Sequence, residues 1–150
     1  MNHWLMKSEP DEFSIEDLAR RKIEPWSGVR NYQARNHMRG MRIGDGVLFY
    51  HSSCAEPGVA GIAAVASVAY PDPTQFDSCS DYFDPKSPRQ APRWSLVEVK
   101  FKRKLKRVIA LSELKNREEL QGLALIRPGN RLSVLPVTLA QWNFILGLER

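Results

Sequence analysis

Residues 26–39, with the sequence WSGVRNYQARNHMR, combine aromatic, arginine and amide side chains and contain little apolar material. Arginine supplies positive charge and planar donors for phosphate, amides hydrogen-bond to the edges of bases, and aromatic faces stack on bases. A segment that only fills a core would have a different composition. The pattern is typical of a nucleic-acid contact surface, and from these residue types alone that function is a hypothesis.

Two groups of basic residues could contact phosphates. Arg35, Arg39 and Arg42 recur at i, i+4 and i+7, so a helix would present them as one stripe. The second group lies within residues 102–107. Each phosphate neutralised by such a residue releases counterions and makes binding more salt-dependent. The alternative for both groups is a solvated face that keeps the protein in solution.

Two of the four tryptophans lie outside regular apolar patterns. Trp26 falls in an expected loop, where it could form one wall of a base pocket or fold back over a sheet. Stacking on a base contributes about 1–3 kcal/mol. Trp94 stands at the entrance of an expected strand and could be a second wall or part of the core. Trp4 and Trp142 lie in apolar patterns, so we expect them in the core.

Spacings typical of catalytic or metal sites are missing from the sequence. The histidines and cysteines show neither H-E-x-x-H nor paired C-x-x-C spacing, and no P-loop or G-x-S-x-G motif occurs. The run from His51 to Cys54 could hold a nucleophile and a base, but such pairs are common by chance. A hydrogen bond from His51 to a ligand or a loop is the alternative. We therefore expect no enzymatic activity, no metal and no cofactor.

The composition favours an ordinary globular domain with a polyanionic partner. A chain of 150 residues can bury one core, so we expect a single domain over residues 1–150. The net charge of +5 favours acidic partners such as nucleic acid. Cys54 and Cys79 suggest free thiols in a reducing, cytoplasmic compartment. The most apolar window, residues 59–70, is shorter than the about 20 residues of a membrane helix, so we expect no membrane contact.

Short helices and strands must position these residues. The expected strands are residues 4–6, 47–51, 59–69 with a bulge at Gly61, 94–103 and 132–134. Expected helices begin at Ser14, at Asn31 (ending at Gly40), near Leu111, at Asn116 and at Thr138. Residues 70–93 form a long ordered loop or short helix. Because strands and helices do not alternate regularly, an α+β fold with a small curled sheet or barrel is favoured over a doubly wound sheet.

Spaced motifs occur in order along nearly the whole chain. They are Trp4-Leu5-Met6-Lys7-Ser8-Glu9-Pro10, Trp26-x-Gly28-Val29-Arg30-Asn31-Tyr32-Gln33-Ala34-Arg35-Asn36, Phe49-Tyr50-His51-Ser52, Asp84-Pro85-Lys86, Pro92-Arg93-Trp94 and Gly129-Asn130-Arg131-Leu132-Ser133-Val134. Together they resemble the EVE domain family. The resemblance implies a PUA-like fold, in which a curled, barrel-like sheet is flanked by helices. It also implies a non-catalytic domain that binds a modified cytosine in DNA or a modified base in RNA.

Residues and resemblance together predict a pocket that holds a modified base after it leaves the stack. Trp26 would stack on the base, Asn31 and Ser8 would hydrogen-bond its edge, and His51 and Ser52 would line the floor. The expected pocket residues are Ser8, Trp26, Gly28, Asn31, His51, Ser52, Trp94, Leu132 and Ser133. The expected phosphate contacts are Lys7, Arg30, Arg35, Arg39 and Arg131.

Two other functions stay open at this point. One is an enzyme acting on nucleic acid, with His51 or Asp45 as its base. The other is a small-ligand or protein-interaction module whose basic face is incidental. Residues 70–93 are long enough to gate a pocket. The sequence leaves open which base is bound, whether in DNA or RNA, in single or double strands, and the oligomeric state.

Overall fold

The computed structural model describes residues 1–150. The strands are β1 (His3–Ser8), β2 (Ile23–Pro25), β3 (Gly46–His51), β4 (Gly58–Val65), β5 (Tyr70–Pro71), β6 (Ser95–Leu96), β7 (Glu98–Ala110) and β8 (Val134–Val137). The α-helices are α1 (Ile15–Arg21), α2 (Tyr32–Arg39), α3 (Leu111–Lys115) and α4 (Leu139–Gly147). Short 3₁₀ helices lie at Pro73–Phe76, Glu118–Leu120 and Ala124–Ile126.

Six strands form one mixed sheet in the order β2-β7-β4-β3-β1-β8, and β5 pairs with β6 in a separate two-stranded sheet. Strands β1 and β3 are parallel, and every other pairing in the large sheet is antiparallel. The sheet curls into a half-barrel flanked by helices, which confirms the predicted fold class. The parallel pair brings the carboxyl ends of β1 and β3 to the same edge of the sheet.

The helix signals in the sequence correspond mostly to real caps. Ser14 and Asp17 form a capping box at α1, the Asn31 side chain caps α2, and α2 ends at Gly40. Thr138 likewise caps α4. The helix expected to begin at Asn116 is wrong: the Asn116 backbone N–H bonds to carbonyls of α3, so this residue ends that helix.

The strand boundaries differ from the prediction because pairing extends beyond the clear alternation. Strand β7 continues to Ala110, so residues 102–107 lie within a strand, with Leu105 buried among basic neighbours. Strand β4 ends at Val65, and its irregular pairing between Val59 and Gly61 confirms the expected bulge. A side chain at Gly61 would collide with Ile15, so a bulged glycine lets α1 pack closely.

Side chains of alternate strand residues fill two apolar clusters, one on each face of the sheet. One cluster contains Trp4 and Phe49 with the inner faces of α1 and α2, and the other contains Leu5 and Leu48. Trp4 is buried, as expected, while Trp142 is half-buried against the second cluster. Each buried large apolar side chain contributes about 1.5–3 kcal/mol, so these clusters stabilise the sheet that carries the edge. None of the helices has both the length and the apolar character needed to cross a membrane.

Candidate functional site

A cavity of about 590 Å³ opens where the ends of β1 and β3 approach the loop that follows β2. Its volume lies within the range of about 300–1,000 Å³ that is typical of ligand pockets. Eight predicted site residues line it: Lys7, Ser8, Trp26, Gly28, Arg30, Ser52, Arg131 and Ser133. The lining also includes Glu9, Glu12, Phe13, Glu24 and Tyr82, which were not predicted.

Backbone hydrogen bonds bring the three serines to this edge. Ser8 pairs with His51 at the end of the parallel strands, and the Ser52 N–H donates to the Ser8 carbonyl at 3.0 Å. The Lys7 N–H donates to the Ser133 carbonyl at 2.8 Å. The Ser8 hydroxyl donates to the Phe13 carbonyl at 2.6 Å, so its oxygen faces the site only as an acceptor.

Trp26 is both a core residue and a wall of the cavity. Its backbone N–H donates to Val97 at 2.9 Å, which continues the pairing of β2 with β7. Its ring meets Phe49 edge to face at a centroid distance of 5.5 Å, and only 8% of the residue is exposed. Trp26 therefore folds over the sheet and presents a narrow part of its surface to the cavity.

The buried carboxylate of Asp72 holds the glycine loop in place. It accepts hydrogen bonds from Gly28 N–H at 2.8 Å, from Arg30 Nη1 at 3.1 Å and from Thr74. Burial raises the pKa of Asp72, but hydrogen bonds from Thr74, Gly28 and Arg30 outweigh burial and leave this pKa below its usual value. The Gly28 N–H is consequently engaged and is not free to bind a base edge.

Arg30 organises the loop as well as lining the cavity. Besides Asp72, its guanidinium donates to the Tyr82 carbonyl at 2.8 Å and to the Thr74 hydroxyl at 3.0 Å. These bonds occupy most of its donors. The structure thus places Arg30 at the site but commits it to the protein, in contrast to the predicted role on phosphate.

The Tyr82 ring forms a rim of the cavity that the sequence did not predict. It covers Gly28 so closely that a Cβ there would lie 2.8 Å from ring atoms, and Gly28 has a φ of +88°. Tyr82 is 40% exposed. The only sequence signal is the adjacent pair Tyr82 and Phe83 in a mostly polar loop that also contains Tyr70 and Phe76.

Glu24 contributes a carboxylate that was also missed. Its Oε1 is buried and forms an ion pair with Arg21, whose Nε lies 3.0 Å away. The angles of this contact are not those of a hydrogen bond, so Oε1 accepts none. The Glu24 side chain is 23% exposed. Because Glu24 and Trp26 are two residues apart in extended backbone, their side chains point to the same side of the sheet.

Four predicted pocket residues lie outside the cavity lining, for separate physical reasons. The Asn31 amide caps α2 by accepting from Ala34 N–H at 3.0 Å. The buried Trp94 donates its indole N–H to Asp84 at 2.8 Å and packs on the loop of residues 70–93. Leu132 is half-buried and packs against both apolar clusters.

His51, the fourth, holds the start of α1. Its Nε2 accepts from Ile15 N–H at 3.1 Å, and burial lowers the pKa of the imidazole, which favours the neutral acceptor. Asp45, the other candidate base, accepts hydrogen bonds from the Trp4 indole at 3.0 Å and from two backbone N–H groups. Neither candidate base is free at the cavity.

The two basic groups differ in how far they are neutralised. Arg35 and Arg39 lie outside the cavity lining and donate to the Arg93 carbonyl at 2.9 and 3.2 Å, so no carboxylate cancels their charge. In the group on β7, three cations form ion pairs: Arg103 with Glu149, Lys104 with Glu16, and Arg107 with Glu113. The group on β7 is therefore mostly a paired surface.

Cys54 and Cys79 are free thiols, as expected. No group of three or more His, Cys, Asp or Glu residues is arranged to hold a metal ion.

The curled mixed sheet, its flanking helices and the cavity at the β1–β3 edge define a PUA-like domain. A model of the EVE domain family matches residues 2–148, and the chain belongs to this family. It is 44% identical to thymocyte nuclear protein 1 from Homo sapiens, over 99% of this chain and 74% of that protein.

Two solved structures are closely similar. A crystal structure of a protein from Pseudomonas syringae is 52% identical, with a TM-score of 0.95, over 97% of this chain and 98% of that chain. A crystal structure of human THYN1 in complex with 5-methylcytosine-containing DNA is 43% identical, with a TM-score of 0.96, over 100% of this chain and 98% of that chain.

Proposed function

We propose that this protein binds DNA without catalysis and holds a 5-methylcytosine, extruded from the base stack, in the cavity beside Trp26. The main support is the cavity itself, where aromatic surface, the Glu24 carboxylate and the cations Lys7 and Arg131, which form no ion pair, meet at one sheet edge. The similar human THYN1 has been crystallised with 5-methylcytosine-containing DNA, which supports the same class of ligand here.

Aromatic surface must offset the cost of extrusion, which is a few kcal/mol. The exposed ring of Tyr82 is the larger available face, and Trp26 adds the part that borders the cavity. Stacking on one aromatic residue contributes about 1–3 kcal/mol per base. A base held between these two side chains would recover most of the extrusion cost.

Glu24 would distinguish cytosine from thymine. Both 5-methylcytosine and thymine carry a methyl group at C5, so a site that senses only the methyl group cannot separate them. They differ at position 4, where cytosine has an amine donor and thymine a carbonyl acceptor. A carboxylate oxygen accepts from the amine and repels the carbonyl. Of the three cavity glutamates, Glu24 is the one whose side chain is mostly buried, and its Oε1 is held 3.0 Å from Arg21 Nε.

Binding in place of catalysis is favoured by the hydrogen bonds of the candidate bases. His51 holds the N-terminus of α1, and Asp45 holds the segment around Trp4. Each would have to give up a structural hydrogen bond to move a proton. We therefore assign both to folding.

The test is direct binding to oligonucleotides that differ at one central cytosine: unmodified, 5-methylated or 5-hydroxymethylated. DNA and RNA versions are compared at low and physiological salt. A methyl group is worth about 1–3 kcal/mol, so a preference of about ten- to two-hundred-fold is expected for methylated DNA. Equal binding of all three bases would overturn the base pocket. Weak binding at every salt concentration would instead favour a small-ligand or protein-interaction module.

A further inference from the structure

A second cavity of about 650 Å³ adjoins the first. It lies between the end of β3, helix α3 and the segment around Ala124–Ile126. Lys7 and Asn130 line both cavities and form the boundary between them. A ligand that extends beyond one nucleotide could therefore contact both cavities.

The two cavities differ in charge. The first is lined by three glutamates, Glu9, Glu12 and Glu24, and by three cations, Lys7, Arg30 and Arg131, so its formal charges balance. The second cavity is lined by Lys7, Lys115 and Arg127 and by no acidic residue. None of these three cations takes part in any of the ion pairs of the protein. On β7, by comparison, three basic residues have carboxylate partners. The second cavity thus has the charge expected of an anion site.

Lys7 is the most unusual of these cations, because it is half-buried and has no anionic partner. Its Nζ lies 5.9 Å from the centre of the Tyr50 ring, and burial lowers the pKa of the ammonium group. Charges removed from water are normally paired. An anion at the boundary between the cavities would complete this arrangement.

We infer that the second cavity holds the nucleotide next to the extruded base in the same strand, with Lys7 on the phosphodiester that joins the two. Lys115 and Arg127 contact the phosphate on the far side of that nucleotide. This inference rests on the proposed function, because it assumes that the first cavity holds the base. The remaining lining includes Leu111, Ile126 and two amides, Gln121 and Asn130. The Asn130 amide oxygen already accepts from Leu132 N–H at 2.9 Å. With so few free polar groups, this site accepts any base.

The first experiment compares two double variants of the full chain. Lys115→Gln with Arg127→Gln removes two charges from the second cavity. Lys102→Gln with Lys106→Gln removes two exposed lysines from β7 that also form no side-chain ion pair, and is the matched control. The slope of log affinity against log salt should fall by about two for the cavity variant, since each lost phosphate contact lowers it by about one. The control should keep nearly the wild-type slope.

The preference for 5-methylcytosine over cytosine separates this inference from the proposed function. In the cavity variant that preference should match the wild type, because the first cavity is intact. If the slope of log affinity against log salt falls by the same amount in both double variants, the second cavity is not a nucleotide site. This conclusion holds whatever the preference for methylcytosine. If the wild type shows no preference, the base pocket is overturned instead.

A second experiment locates the phosphate contacted by Lys7. A neutral methylphosphonate is placed at one of the two linkages that flank the methylcytosine. At the linkage bound by Lys7 it should weaken wild-type binding about tenfold, in line with loss of one charge-assisted contact. It should have no further effect in Lys7→Gln. Independent, additive losses at both linkages would overturn the assignment of Lys7 to a bridging phosphate.

Discussion

The carboxylate of Asp72 lies 3.1 Å from Nη1 of Arg30 and joins segments that are 42 residues apart in the chain. The same carboxylate accepts from Gly28, and Arg30 in turn holds the carbonyl of Tyr82. The loop that carries Trp26 and the loop that carries Tyr82 are therefore fixed to each other through one buried charge. Removing that charge should loosen both aromatic walls together.

Asp72→Asn should lower the free energy of unfolding by about 3 kcal/mol, because it leaves Arg30 without its buried partner. The folded-state pKa of Asp72 is below its usual value, so its stabilising effect is present above about pH 4 and is lost as the pH falls through the folded pKa. The variant should lack this part of the acid sensitivity. Urea unfolding at pH 7 and pH 3 measures both effects, with the exposed Asp81→Asn as the control.

Glu24→Gln should remove discrimination between 5-methylcytosine and thymine. The wild type should prefer methylcytosine by about tenfold or more, since a correct contact to a base edge is worth about 1–3 kcal/mol. Glutamine can turn its amide to donate to the thymine carbonyl, so the preference should disappear. Binding is measured on duplexes in which the central base faces an abasic site, so that neither base must break a pair. Glu12→Gln, at an exposed carboxylate of the same cavity, should keep the wild-type preference. If Glu24→Gln keeps it too, another group recognises the amine.

Tyr82→Leu should weaken binding of methylated DNA by about 1–3 kcal/mol, the contribution of one stacked aromatic face. Arg30 bonds to the backbone carbonyl of Tyr82, so this variant should leave the free energy of unfolding nearly unchanged. Tyr82→Phe keeps the ring and should bind like the wild type. Equal affinities for the leucine and phenylalanine variants would show that the ring does not stack on the base.

Gly28→Ala also tests the rim formed by Tyr82, because the ring of Tyr82 covers Gly28. A Cβ at this position would lie 2.8 Å from the Tyr82 ring, and the φ of +88° disfavours any side chain. We expect a loss of about 1–2 kcal/mol in the free energy of unfolding together with weaker binding, because the ring must move. In the double variant with Tyr82→Leu and Gly28→Ala, binding should be only slightly weaker than in Tyr82→Leu alone. A full additional loss would show that Gly28 acts independently of the ring.

The sequence located the Trp26 loop, strand β3 and the caps of α1 and α2, because these depend on local residue types and short spacings. Tyr82 could not be found in this way, since its contact with Gly28 is tertiary and crosses a long polar loop. Glu24 lies in a strand of three residues, too short for an alternation to be recognised. Asn31 shows a different limit: an amide that caps a helix and one that binds a base look the same in sequence.

His51 provides a test of whether the site binds or catalyses. Its neutral imidazole accepts from Ile15 N–H, and burial holds its pKa below the usual value. The contribution of His51 to stability is therefore complete above about pH 6.5 and is lost as the pH falls through the folded pKa. His51→Gln supplies an amide oxygen that accepts the same hydrogen bond and does not titrate. Relative to the wild type, the variant should lose less stability between pH 7 and pH 5, measured by urea unfolding.

The same variant should bind methylated DNA like the wild type and leave the oligonucleotide chemically unchanged, as the wild type does. His3 and His37 also have lowered pKa values, mainly through burial. The loss of stability between pH 7 and pH 5 is therefore also measured in His37→Gln, to separate the contribution of His37 from that of His51. Turnover of a modified oligonucleotide by the wild type that disappeared in His51→Gln would reverse the assignment. The imidazole would then have to release the N-terminus of α1 during each reaction, and activity and helix stability would change together with pH.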